Sequence, residues 1–83
     1  MNDRKKSTRG SEAKRLIDNR VLNEAFNEVD QHIHQEWANT PFEAKEIREM
    51  LYFQQKNLQS VKKMLESYVN VGKLADFKLG NDK

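Results

Sequence analysis

The 83-residue chain has no cysteine, one proline and three glycines. Without cysteine there can be no disulfide and no thiolate metal site, which suits a reducing compartment. So little proline and glycine argues against the turn-rich alternation of a β-protein and for long helices, as does the balance of 36% apolar and 34% charged residues. No apolar run approaches the roughly 20 residues of a membrane span. Residues 1–15 hold no hydrophobic stretch of the signal-peptide kind, so the expectation is a cytoplasmic protein that does not enter a membrane. Phosphate-binding glycine loops, dinucleotide fingerprints and nucleophile elbows are all missing, and no catalytic residue or cofactor site is expected.

What is present is a strong charge asymmetry. Residues 1–15 carry six bases against Asp3 and Glu12, while residues 18–49 carry eight acids against Arg20, Lys45 and Arg48. Residues 56–78 return to basic, with five lysines against Glu66 and Asp76. The middle is acidic and both ends are basic.

The chain turns on residues 37–43. Thr40 suits an N-cap, Pro41 the first helical position, and Glu43 completes a Thr-x-x-Glu capping box. Before this corner, Leu22, Ala25, Phe26, Val29, Ile33 and Trp37 fall on one stripe at 100° per residue, which makes Phe26 and Trp37 core residues. Leu16 and Ile17 fall on the far side of that stripe, so a break is expected at Asp18 or Asn19, both competent caps. The predicted helices are residues 11–17, 19–38 and 41–71, the last ending at Gly72 as a left-handed cap with Leu74 as its apolar contact. Residues 11–76 form the single helical domain of this reading. Residues 1–10, with no periodic apolar position, read as a disordered basic tail, and residues 77–83 as a flexible C-terminal tail.

The fold class is therefore all-α: an antiparallel helical hairpin with a short N-terminal helix and an overlong third helix, expected to oligomerise. On the third helix, Ala44, Ile47, Leu51, Leu58, Leu65 and Val69 make a seam for the hairpin, interrupted by Gln54 and Gln55, which either mark its edge or set register in an oligomer. A second flank, Met50, Phe53, Val61, Met64 and Tyr68, is more than one narrow partner covers and is the candidate protein interface. It is to be met by another subunit, or by the first helix and the Leu74, Phe77, Leu79 segment folded over it.

Two other constellations carry chemistry. Asp30, His32, His34 and Glu36 offer two four-apart pairs, each with two ligands where zinc needs three or four, so no metal site is expected. Arg4, Lys5, Lys6 and Arg9 form a basic arm, and Lys56 and Lys63 share a face with Gln59 near Tyr52. Together these are the candidate contacts for nonspecific nucleic-acid binding. A helix-turn-helix pivoting at Thr40 is disfavoured, because its recognition helix would open with Glu43, Glu46 and Glu49 against phosphate.

The run Leu16, Ile17, Asp18, Asn19, Arg20, Val21, Leu22, Asn23, Glu24, Ala25, Phe26, with Trp37, Thr40, Pro41 and the later Val69, Val71, Gly72, Lys73, Leu74, Ala75, resembles a known group. It is similar to small, mostly uncharacterised helical proteins encoded by tailed bacteriophages and prophages near head and DNA-packaging genes. The similarity covers about residues 12–76. Where Arg20 stands that group commonly has proline, in keeping with a helix start. The resemblance implies a non-catalytic phage accessory protein in the host cytoplasm, acting in head assembly or DNA packaging somewhat as a terminase small subunit does. Those subunits usually bind DNA through an N-terminal helix-turn-helix, from which the acidic corner departs. Beside this oligomerising module stand two other readings: a small inhibitor or adaptor that binds a host or viral protein through the apolar flank, and a nonspecific nucleic-acid-binding protein.

Overall fold

The computed structural model describes residues 2–81. Three α-helices run α1 (Asp3–Ile17), α2 (Arg20–Asn39) and α3 (Lys45–Asn81), and no strand occurs among the described residues. The fold is all-α, 90% helical.

α1 begins eight residues before the predicted start at 11, so residues 3–10 are helix and not a disordered tail. Asn2 caps it, its Oδ1 accepting from the Lys5 amide at 2.9 Å, with Asp3 in the positive first turn and Lys14 and Arg15 in the last. The break falls at Asp18 and Asn19. Asp18 closes α1 and pairs with Lys14 at 3.1 Å, while Asn19 Oδ1 accepts the Leu22 amide at 2.8 Å to open α2. Asn23 Nδ2 reaches across the break to the Ile17 carbonyl at 2.7 Å, using one of the orphan carbonyls of α1.

At the corner the expected capping box is not formed. Thr40 is the C-cap of α2, its hydroxyl donating back to the Glu36 carbonyl, and α3 starts only at Lys45. Residues 41–44 form a turn closed by the Ala44 amide on the Pro41 carbonyl at 3.0 Å. Arg48 holds this turn from the first coil of α3. Its guanidinium lies 5.0 Å from the Trp37 ring and 5.8 Å from the Phe42 ring, and donates at 3.4 Å to the carbonyls of Thr40 and Pro41. Trp37, expected in the core, is 40% exposed on its other side.

α3 does not stop at Gly72. It continues to Asn81, with no glycine of positive φ among the described residues, so the predicted left-handed cap and flexible tail from residue 77 are both replaced by helix as far as 81; residues 82 and 83 lie outside the described part. Gly72 serves a different purpose. A Cβ built on it would sit 2.8 Å from the Gly10 Cα, and one built on Gly10 would sit 2.8 Å from the Gly72 Cα and from the Tyr68 carbonyl. The two backbones touch, and only glycine permits that approach. Ala13 and Ala75, each three residues further on, are buried at the same crossing.

These contacts fix the topology. Ser7 donates to the Asp76 carboxylate, Gly10 meets Gly72, and Ile17 lies near Leu65, so α1 runs antiparallel to the C-terminal half of α3. Phe26 lies under Lys62, and Ile33 lines one groove with Gln55 and another with Leu58, so α2 runs antiparallel to the N-terminal half. α1 and α2 thus lie end to end along α3 in a rod of 62 × 23 × 13 Å.

The inward face of α3 repeats every seven residues. Leu51, Leu58, Leu65, then Gly72 and Leu79, form one row, all buried or half-buried. Such a 3.5-residue repeat keeps two helices in register along a left-handed winding. The alternate row is Arg48, Gln55, Lys62, Val69 and Asp76, mostly polar. Three of these have specific partners at the corner, over Phe26 and at Ser7. A polar row on the seam leaves a thin core, in which only Ala13, Ile33, Leu51 and Ala75 are buried hydrophobic residues among those described.

Candidate interaction face

A second heptad row lies about 90° round α3 from the leucines. It reads Ile47, Met50, Gln54, Asn57, Val61, Met64, and continues as Tyr68, Val71 and Ala75. α1 closes over its C-terminal part, where Ala75 is buried and Tyr68 and Val71 are half-buried. The N-terminal part, opposite the narrower cover given by α2, stays open. Ile47, Met50, Phe53, Val61 and Met64 are each 48–55% exposed. Beside them a groove of about 380 Å³ runs between α2 and α3, lined by Val29, His32 and Ile33 on one side and Gln54, Asn57, Leu58 and Val61 on the other.

Four of the five predicted interface residues therefore stand in the open. Met50, Val61 and Met64 lie on the row itself, and Phe53 stands at its rim, edge-on to Tyr52 with ring centroids 5.9 Å apart. Tyr68 does not belong with them. The Arg9 guanidinium lies 4.1 Å from its ring centroid, so the aromatic face is already occupied by α1. Ile47, expected in the hairpin seam, is on the open row instead. The Leu74, Phe77, Leu79 segment does not fold back as a cover, since it is part of the same helix, with Leu74 and Phe77 exposed and Leu79 on the inward face.

The predicted nucleic-acid residues are not gathered into one patch. Arg9 is committed to Tyr68, with its Nε buried and without a hydrogen-bond partner. Lys6 is half-buried against the Gly72 crossing, leaving Arg4 and Lys5 exposed near the end of α3. Lys56, whose Nζ lies 5.5 Å from the Tyr52 ring, and Lys63 share the opposite flank of α3. At about 1.5 Å per residue they stand some 25–35 Å along the rod from Arg4 and Lys5. A flexible arm closing on a phosphate backbone beside Lys56 is not the arrangement of this chain.

His32 meets Glu36 at 2.8 Å and His34 meets Asp30 at 3.7 Å, all of them well exposed except Asp30. The two pairs face different sides of α2, and no group of three or more metal-ligating side chains gathers among the described residues. No helix there is long and apolar enough to cross a membrane.

Sequence reasoning missed the roles of Gly10, Gly72 and Arg48: it gave Gly72 to a helix cap, and read Gln54 and Gln55 as an interruption of the seam that sets register in an oligomer or marks its edge. A signal for the first two was present. Gly10-Ser-Glu-Ala13 and Gly72-Lys-Leu-Ala75 are matched Gly-x-x-Ala segments, and a pair of small-residue motifs marks two helices able to approach closely.

Fold and face together define a three-helix rod with an uncovered apolar row. Comparison with known proteins finds no significant match among family models, curated proteins or solved structures.

Proposed function

We propose that this chain is a non-catalytic helical assembly module that acts by self-association through the open row from Ile47 to Met64. One observation carries the reading. The chain exposes 6735 Å², whereas a compact monomer of 9.8 kDa exposes about 5,200 Å². The surplus of about 1,500 Å² follows from the shape of a rod two helices thick, and part of it is the side of α3 on which Ile47, Met50, Phe53, Val61 and Met64 are each 48–55% exposed; exposed apolar residues gathered in this way mark an interface. The place of the module in phage head assembly or DNA packaging rests on the resemblance of residues 12–76 alone.

Multi-angle light scattering across a concentration series tests the association. The expected result is an oligomer at micromolar concentration that the double substitution Val61→Glu, Met64→Glu converts to a helical monomer. A parent chain that stays monomeric at hundreds of micromolar rules the reading out. The assembly role is tested by co-purification from infected cells, where head or packaging proteins should accompany the chain; their absence alongside intact self-association removes the phage role only.

A further inference from the structure

We infer that the open row is covered by a second copy of this chain laid antiparallel, with a two-fold axis at the level of residues 55 and 56. This deepens the self-association reading and rests on it. The argument comes from the order of residues along the row. Two large apolar residues, Ile47 and Met50, are followed by two amides, Gln54 and Asn57, and then by two more apolar residues, Val61 and Met64. The sequence of types is the same read from either end.

A two-fold interface requires that residue i of one copy meet j of the other while j meets i. Laid antiparallel about residues 55 and 56, the row satisfies this along its whole length. Ile47 meets Met64 of the second copy, Met50 meets Val61, and Gln54 meets Asn57. The amides then pair with each other near the axis, where side-chain hydrogen bonds between Gln and Asn satisfy polar groups that an apolar partner would leave unpaired. A one-turn slip would place Gln54 against Val61 and lose that pairing, so the amides set the register.

Exposure agrees with this order. Ile47, Met50, Val61 and Met64 are each 48–53% exposed, so all four apolar positions of the row are open to a second copy. The open row also stops where the C-terminal end of α1 reaches α3, since Ile17 lies near Leu65. The α1 helices therefore sit beyond the two ends of the overlap and leave it free. The surface needed is available too, because a standard interface takes about 800 Å² from each partner, about half the surplus this chain exposes.

The absence of cysteine makes the register directly measurable. Full-length Ile47→Cys carrying an affinity tag is mixed with untagged Met64→Cys, allowed to exchange subunits, and oxidised mildly; Met50→Cys with Val61→Cys forms a second, independent pair. Both mixtures should give predominantly the tagged–untagged disulfide, and each variant alone almost none. Equivalent cysteines at residue 47 would lie about 25 Å apart, far outside disulfide reach. Circular dichroism checks that each variant remains helical. Self-crosslinking of Ile47→Cys would show a parallel pair and overturn the inference. Light-scattering dimers that crosslink in neither mixture would also overturn it, while leaving self-association through another face standing. A monomeric parent chain would overturn both.

Discussion

At Gly10 and Gly72 the usual preference of helices is reversed. A helical glycine costs about 0.5–1 kcal/mol relative to alanine, so replacing one normally stabilises. Here the added methyl of either residue would lie 2.8 Å from the Cα of the other, and the obstacle is backbone, which cannot rotate away. α1 would have to move outward and give up its contacts at Ala13 and Ala75. Gly10→Ala and Gly72→Ala should each destabilise by about 1–3 kcal/mol, or some 5–20 °C in a thermal melt followed by circular dichroism. Gly80→Ala, with open space around it, should leave the melt unchanged or slightly higher; a Gly10→Ala variant matching it would mean that α1 does not dock at this crossing. Arg48 supports a second prediction. Arg48→Lys keeps the charge but removes the planar group that spans Trp37, Phe42 and two carbonyls, and should cost about 1–2 kcal/mol in urea unfolding. The emission of Trp37, the only tryptophan, should shift with it. Neither residue's role was legible from its own position. A lone glycine in a helical pattern reads as a stop, and an arginine on an apolar seam reads as its edge, until the residue opposite is known.

At the scale of elements, what could be read from the sequence was what local rules decide. The stripe of α2 and the cap at Asn19 follow from periodicity and side-chain chemistry within a few residues, and α2 spans Arg20–Asn39 where residues 19–38 were expected. The two ends of the rod follow from tertiary contact. Residues 3–10 contain no apolar stripe to detect, because the face of α1 that meets α3 is made of Lys6, Ser7, Gly10 and Ala13. That face is helical because α3 supplies a matching surface. At the corner, the Thr40 hydroxyl had two possible partners, and the turn at residues 41–44 with the Arg48 clamp favours the backward bond to Glu36. Removing residues 1–9 separates a tail from a packed helix. A disordered tail would leave the melt unchanged. Loss of half of α1 should lower helicity by more than the residues removed and depress the melting temperature by about 5 °C or more, since Ala75 and Asp76 lose the turn that carries Lys6 and Ser7. An unchanged melt would return residues 3–10 to the status of a tail.

The whole molecule is a rod with an acidic corner at one end, a basic helix at the other and one apolar row left open, and its geometry decides how it can associate. A head-to-tail contact between the acidic corner and the basic end would leave the same two surfaces free on the outer copies and continue into a filament, whereas the antiparallel row uses one surface twice and closes at two copies. The apolar surplus was visible in the sequence as a sector too wide for one partner helix; that it narrows to Ile47, Met50, Phe53, Val61 and Met64 was not, because the cover supplied by α1 depends on the glycine crossing. If association closes on the row, stability is linked to concentration. The parent's melting temperature should rise with protein concentration from low to high micromolar, since each folded pair is favoured by mass action. Val61→Glu puts a charge opposite Met50 of the other copy and should abolish this dependence. Its melt should be the same at every concentration, at or below the lowest value of the parent, with helicity retained because the side chain is 52% exposed in the single chain. A Val61→Glu chain whose melt still climbs with concentration would place the contact elsewhere on the rod, and a light-scattering mass that grows without limit would indicate the open, head-to-tail arrangement.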